Sequence, residues 1–195
     1  MTDEPVPVAA PRVVSLYNPA NMLTAVRIAL VPVFAVLVVV SGLASSGWRI
    51  AACLAFCVAS ATDFVDGWIA RRFELITSFG KVADPIADKA LTGTALVLLS
   101  AYGRLAWWVT ALILLREWGV TALRFSVIRY GIIPASRGGK LKTALQIAAI
   151  AWYLWPAPAP YDRVGPWLIA AAVTVTLLTG VDYVLQAVRL RRRRS

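Results

Sequence analysis

Six long apolar segments follow one another along this chain, at roughly 22–42, 49–70, 82–101, 105–129, 141–157 and 165–188. Most approach the ~20 residues that a helix needs to cross a ~30 Å hydrocarbon core. Inside hydrocarbon the backbone must satisfy its own N–H and C=O groups, which leaves helices or closed barrels as solutions. Segments of this length predict helices. The expected fold is therefore an all-α integral membrane protein with six transmembrane helices. Composition agrees: 59% of residues are hydrophobic and 15% charged, against about 45–50% and 25% in soluble domains. Mean hydropathy is +0.71.

Basic residues give the orientation, because Lys and Arg concentrate in cytoplasmic connections. Connection 2–3 carries Arg71, Arg72 and Lys81; connection 4–5 carries Arg129, Arg137, Lys140 and Lys142; the tail RLRRRRS carries five arginines. The other side has only Arg49, Arg104 and Arg163. Both termini and these two connections are thus expected in the cytoplasm, with the protein in the cell membrane. Trp107, Trp108 and Trp155 fall near the opposite interface, as an aromatic belt does.

The expected organisation is a disordered juxtamembrane stretch at 1–17, a six-helix membrane domain at 18–189 and a basic tail at 190–195. The stretch MTDEPVPVAAPR lacks the basic-then-apolar pattern of a signal peptide. Asn21 is a candidate N-cap for the first helix. The tail reads as a topology anchor and anionic-lipid contact, and no nucleic-acid partner is expected. Cys53 and Cys57 lie one helical turn apart in an apolar run and read as small apolar filler. The chain has no histidine, so any general base must come from another residue type, a carboxylate above all.

Against this background the stretch DFVDGWIARRFELITSFGKVADPIADK, from Asp63 to Lys89, is anomalous. With Glu74 it holds five of the ten acidic residues of the chain. Asp63, Asp66, Gly67, Ala70 and Arg71 recur at spacings that share one helical face. Asp84 and Asp88 are four apart and again share a face. Pro85 fits either the start of the third helix, with Asp84 as its cap, or a local kink. A short connection makes helices 2 and 3 antiparallel neighbours whose facing stripes can gather all four carboxylates. One intramembrane Asp costs about 2.5–3.5 kcal/mol, and four cost on the order of 10. Such a cluster needs cations, and Arg71 and Lys89 alone do not balance it. Hard divalent ions suit all-oxygen ligands, which points to Mg²⁺ or Mn²⁺. A pair of such ions suits transfer of a phosphoryl-type group. Gly67, between Asp66 and Arg71, fits close approach of a flat ligand to the helix backbone.

The pattern Asp63–x2–Asp66–Gly67–x2–Ala70–Arg71–x8–Gly80–x3–Asp84–x3–Asp88 resembles the signature of the CDP-alcohol phosphotransferase family at all eight fixed positions. The resemblance implies the six-helix fold of that family, a homodimer and two divalent cations. It implies metal ligation by Asp63, Asp66, Asp84 and Asp88, with Asp88 also the catalytic base toward an incoming hydroxyl. It implies that Gly67, Arg71 and Thr77 contact the CDP group. The stretches NMLTAVRIALVPVF, DPIADK, LLREWGVTALR and GGKLKTALQ are similar to the phosphatidylglycerophosphate synthase branch, actinobacterial members included. That branch implies CDP-diacylglycerol as donor, glycerol 3-phosphate as acceptor, and contacts from Asn21 and Thr24 to the CDP-lipid. Pro19 stands one residue earlier here than the proline of the branch's Asn-x-Pro-Asn pattern.

A phosphorylated acceptor needs fixed cations. Arg116 and Arg124 lie eight residues apart in the fourth segment, on nearly one face. Buried arginines face a cavity or a partner. Lys140 and Lys142 stand at the mouth of the fifth segment. Together these four residues form a candidate acceptor-phosphate site. The alternative for Arg116 is a pairing with Glu117 or an acid of another helix, and for the lysines a snorkelling role. Arg27 fits either a structural pairing or a substrate contact, and Asp182 fits as partner to one of the arginines.

Inositol 1-phosphate would need similar cations, so it remains an alternative acceptor; phosphatidylglycerol, as in cardiolipin synthesis, is another. A cation transporter is the alternative of a different class. Transport sites, however, sit near the midplane on broken helices of repeated halves, and no repeat is visible here.

Overall fold

The computed structural model describes residues 18–73, 78–127 and 137–192. Among these, six α-helices account for nearly everything, and no strand occurs. They are α1 (Pro19–Ser41), α2 (Ser46–Arg72), α3 (Ser78–Ala101), α4 (Trp107–Val127), α5 (Arg137–Leu154) and α6 (Val164–Arg192). Each coincides with one apolar segment of the sequence.

The helix ends follow local chemistry. Asn18, in extended backbone, caps α1 by accepting the Asn21 N–H at 2.9 Å, and Pro19 takes the first helical position, where its missing N–H costs nothing. The cap is thus Asn18 and not Asn21, which sits inside the first turn. Gly42, at φ +51°, closes α1 in the left-handed conformation that glycine adopts without a Cβ penalty. Helix α3 starts at Ser78, so Asp84 is an interior helical residue and not a cap, and Pro85 lies within the helix. Helix α5 starts at Arg137, which makes Lys140 and Lys142 helical residues. Helix α6 runs to Arg192, carrying the arginine tail onward as helix past position 189.

The connections lie at two ends of the bundle. Arg104, between α3 and α4, donates to the Leu43 carbonyl between α1 and α2 at 2.8 Å. Arg49, at the start of α2, donates to the carbonyls of Tyr153 (3.1 Å), Leu154 (3.1 Å) and Trp155 (2.8 Å) at the end of α5. Three connections therefore meet at one end. Trp48, Trp107, Trp108, Trp155 and Trp167 are exposed there, as the belt reading expects. The candidate site occupies the other half of the bundle.

Helix α1 packs most extensively on α2 and also on α3; α6 packs on α5 and α4. The core runs through Phe34, Val38, Phe56, Leu91, Leu96, Leu99, Ile113 and Ile150. Phe34 and Phe56 rings meet at 5.7 Å. Lipid is as apolar as leucine, so close packing rather than water exclusion must hold such helices together. Ala52, Ala59, Ala95, Ala149 and Ala172 are fully buried and let backbones approach. Val36, Val40, Leu115, Leu178 and Val181 instead point outward, where hydrocarbon accepts them. Cys53 and Cys57 are both free.

Among the described residues, three stretches are long and apolar enough to cross a membrane by themselves: Asn21–Ser41, Ser46–Ile69 and Tyr161–Arg189. Helices α3, α4 and α5 fall short because every stretch of 18 residues in them contains at least three charges.

Candidate active site

Asp63 and Asp66 stand on the C-terminal half of α2, on the face turned to α1, and Gly67 follows Asp66 in the chain. The Arg27 side chain, 0% exposed, reaches from α1 to both carboxylates. Its Nη1 donates to Asp63 Oδ1 at 2.5 Å and its Nη2 to Asp66 Oδ2. Thr24, one turn earlier on the same face of α1, donates its hydroxyl to Asp66 Oδ2 at 3.2 Å. Asp66 is 3% exposed and Asp63 41% exposed. A buried carboxylate of this kind survives only with a charge partner and hydrogen bonds, and Arg27 with Thr24 supplies both. Of the two readings of Arg27, the structure supports the pairing. Among the described residues its fully buried Nε has no hydrogen-bond partner.

Asp88 lies on α3, half-buried, and the charges of Asp63, Lys142, Lys89 and Glu117 all act on its carboxyl group. Those four residues come from α2, α5, α3 and α4, so charges from four helices act around the Asp88 carboxyl. Asp84 precedes Asp88 by one helical turn on α3; its side chain lies outside the described residues. The gathering differs from the expected meeting of α2 with α3 alone. Both helices pack more on α1 than on each other, and α1 brings in Arg27.

Arg116, on α4, is occupied. Its Nε donates to the Thr176 carbonyl at 3.2 Å, Nη2 to Thr179 Oγ1 at 2.7 Å, and Nη1 to Glu117 Oε1 at 3.2 Å. Its guanidinium stands 5.8 Å from the Tyr183 ring centroid. Gly180 leaves it room: a Cβ there would meet Arg116 Cγ at 3.4 Å and Nε at 3.5 Å. Arg116 therefore ties α4 to α6, and its alternative reading as a paired residue describes it better than an open anion site. Lys142, buried on α5, pairs through Nζ with Glu117. Lys140 is exposed one turn from the start of α5. Asp182 is exposed and accepts from Gln186 at 2.8 Å; among the described residues it partners no arginine.

The remaining expected residues are placed as follows. Asn21 is buried in the first turn of α1, near Thr24, and Gly67 is part-buried beside Asp66. Arg71 is in the last turn of α2 and Arg124 in the last turn of α4, with side chains outside the described residues. Thr77 lies outside the described residues. Glu117 was legible only as a neighbour of Arg116; its link to Lys142 was not. The one sequence signal was an acid inside an apolar segment.

Among the described residues no three acidic side chains form a finished metal cage. The donor set nonetheless fits a hard cation: Asp63 and Asp66 lie one turn apart, Asp88 is within electrostatic reach of Asp63, and all offer carboxylate oxygens.

The sequence pattern of the CDP-alcohol phosphatidyltransferase family matches residues 17–178. A probable phosphatidylglycerophosphate synthase of Mycobacterium tuberculosis (strain ATCC 25618 / H37Rv) is 49% identical over 172 residues, 88% of this chain and 82% of its own length. The CDP-diacylglycerol–glycerol-3-phosphate 3-phosphatidyltransferases of Escherichia coli (strain K12) and Shigella flexneri are each 37% identical over 177 residues, covering 88% of this chain and 95% of their own. The matched region spans the paired carboxylates, the Arg27 clamp and the Glu117–Lys142 pair, so signature, helical membrane architecture and relatives converge: this chain belongs to the CDP-alcohol phosphatidyltransferase family.

Proposed function

We propose that the protein transfers the phosphatidyl group of CDP-diacylglycerol to sn-glycerol 3-phosphate, giving phosphatidylglycerophosphate and CMP. The observation that carries this reading is the position of Asp88. Its half-buried carboxyl lies within electrostatic reach of Asp63, on the carboxylate side of the site, and of the ion-paired Lys142 and Glu117 on the other. A group poised between an anion-rich and a cation-bearing wall suits a base between a metal-bound pyrophosphate and a phosphorylated acceptor. The names borne by the relatives agree.

The family's chemistry depends on divalent cations. In this reading Asp63, Asp66, Asp84 and Asp88 hold two of them, Mg²⁺ or Mn²⁺. When bound, such ions neutralise the pyrophosphate and acidify a nearby hydroxyl. Asp88 takes the proton of the acceptor hydroxyl, whose oxygen attacks the lipid-side phosphorus. A new P–O bond forms, the pyrophosphate P–O bond breaks, and CMP leaves with the electron pair. Gly67, Arg71 and Thr77 border the CDP group, with Asn21 on the first turn of α1. Thr24 contributes through Asp66, whose oxygen it already binds. Lys142, Lys140 and Arg124 receive the acceptor phosphate, and Arg116 forms the fixed edge of that pocket. The working protein is a homodimer, as the family resemblance implies, in the cytoplasmic membrane; the Lys and Arg bias supports both termini and the site facing the cytoplasm.

The test is CMP release in detergent with CDP-diacylglycerol, glycerol 3-phosphate and Mg²⁺. Asp88→Asn is expected to lower kcat by about 10²–10⁴, the usual worth of a general base, with thermal stability retained. Unchanged turnover in a folded Asp88→Asn protein would remove Asp88 from the reaction.

A further inference from the structure

Glu117 is an acid placed where an anion is to bind. It is 16% exposed, on α4, and its Oε1 accepts from Arg116 Nη1 and from Lys142 Nζ. Charge alone makes this placement unfavourable for a phosphate site, because a like charge repels the ligand. Its value lies in what it does to the two cations.

Arg116 does not need Glu117 to stay in place: Thr176 and Thr179 hold its other nitrogens, and Tyr183 lies against it. Lys142 is different. It is 8% exposed, stands on another helix, and has Glu117 as its ion-pair partner among the described residues. A lysine stem is flexible and carries a compact charge with no preferred direction. Left alone beside the fixed Arg116 cation, the ammonium would swing away. Bound to Glu117 it stays near Asp88, whose carboxyl feels both Lys142 and Glu117. An ammonium has three donors. Glu117 takes one, and the others remain for an incoming phosphate.

We propose that Glu117 is the positioning residue of the acceptor site, holding the Lys142 ammonium where the acceptor phosphate is received without touching substrate itself. This rests on the reading of Lys142 as a phosphate contact given above.

The experiment compares Glu117→Gln, Glu117→Asp, Lys142→Gln and the double variant Glu117→Gln/Lys142→Gln. Glycerol 3-phosphate is varied at saturating CDP-diacylglycerol and Mg²⁺, then the donor at saturating acceptor, and thermal unfolding is recorded for each protein. Glu117→Gln should raise the acceptor KM about tenfold and leave the donor KM within about twofold, which loss of fold alone does not do. Glu117→Asp should fall between wild type and Glu117→Gln. The double variant should be no worse than Lys142→Gln, because the two residues act as one unit. If Glu117→Gln does not fold, Glu117→Asp carries the test: a raised acceptor KM supports the proposal and a wild-type value overturns it. A raised acceptor KM in Lys142→Gln with none in Glu117→Gln overturns the proposal and leaves the site reading standing. So does a double variant as defective as the product of the singles. A wild-type acceptor KM in Lys142→Gln overturns the phosphate role of Lys142, and the proposal falls with it.

Discussion

The Arg27 guanidinium of α1 is ion-paired with the Asp66 carboxylate of α2, and both side chains are buried. The two residues are 39 positions apart in sequence. This one pair joins the first helix to the helix that bears the first half of the carboxylate cluster.

Removing the guanidinium should cost stability first. Arg27→Gln leaves Asp66 buried beside a neutral amide, and breaking a buried pair of this kind costs about 3–5 kcal/mol. Thermal unfolding in detergent should show a clear drop in Tm. Arg27→Lys should lie between, since an ammonium lacks the fork that reaches Asp63 and Asp66 together. A wild-type Tm in Arg27→Gln would mean that the pair carries no structural load.

Gly180 offers a test of sign. A Cβ at this position would lie 3.4 Å from Arg116 Cγ, an ordinary contact. Alanine also favours a helix over glycine by about 1 kcal/mol. Gly180→Ala is therefore expected to leave stability equal or slightly raised. Gly180→Leu puts further carbons onto the Arg116 stem, and overpacking costs about 1–3 kcal/mol. Thermal unfolding of the two variants should move in opposite directions or by clearly different amounts.

At the far end, Arg49 closes the carbonyl end of α5. Arg49→Gln should weaken the bundle by about 1–3 kcal/mol, the worth of hydrogen bonds to a charged group. It should leave both substrate KM values near wild type, because the site lies in the other half of the bundle. A selective rise in either KM would contradict that separation.

Much of this was legible in the sequence, and the limits have physical causes. Hydropathy reveals helices that face lipid, so all six segments were visible. It misses helix where charged and polar residues interrupt the apolar run, so α3 and α5 begin several residues earlier than the apolar pattern suggests, at Ser78 and Arg137. Asn21 looked like a cap because it is an asparagine next to an apolar run. The preference of Pro19 for the first helical position was the better guide, and it points to Asn18. The helical spacing of Asp63 with Asp66, and of Asp84 with Asp88, was readable because a helix face is a local property. The partners of Arg27 and Lys142 were not, since each lies on a different helix from the residue it holds. Adjacent residues such as Arg116 and Glu117 also give no sequence sign of which neighbour each will serve.

The most direct test of the proposed reaction supplies one labelled acceptor at a time. Purified protein in detergent receives CDP-diacylglycerol and Mg²⁺ with glycerol 3-phosphate, inositol 1-phosphate or phosphatidylglycerol, and lipid product and CMP are both measured. The account predicts labelled lipid from glycerol 3-phosphate alone, with stoichiometric CMP, abolished by chelation of the metal and restored by its return. Labelling from inositol 1-phosphate or phosphatidylglycerol in its place would contradict the assigned acceptor while keeping the chemistry. No CMP from any acceptor, in a folded and metal-supplied protein, would contradict the account itself.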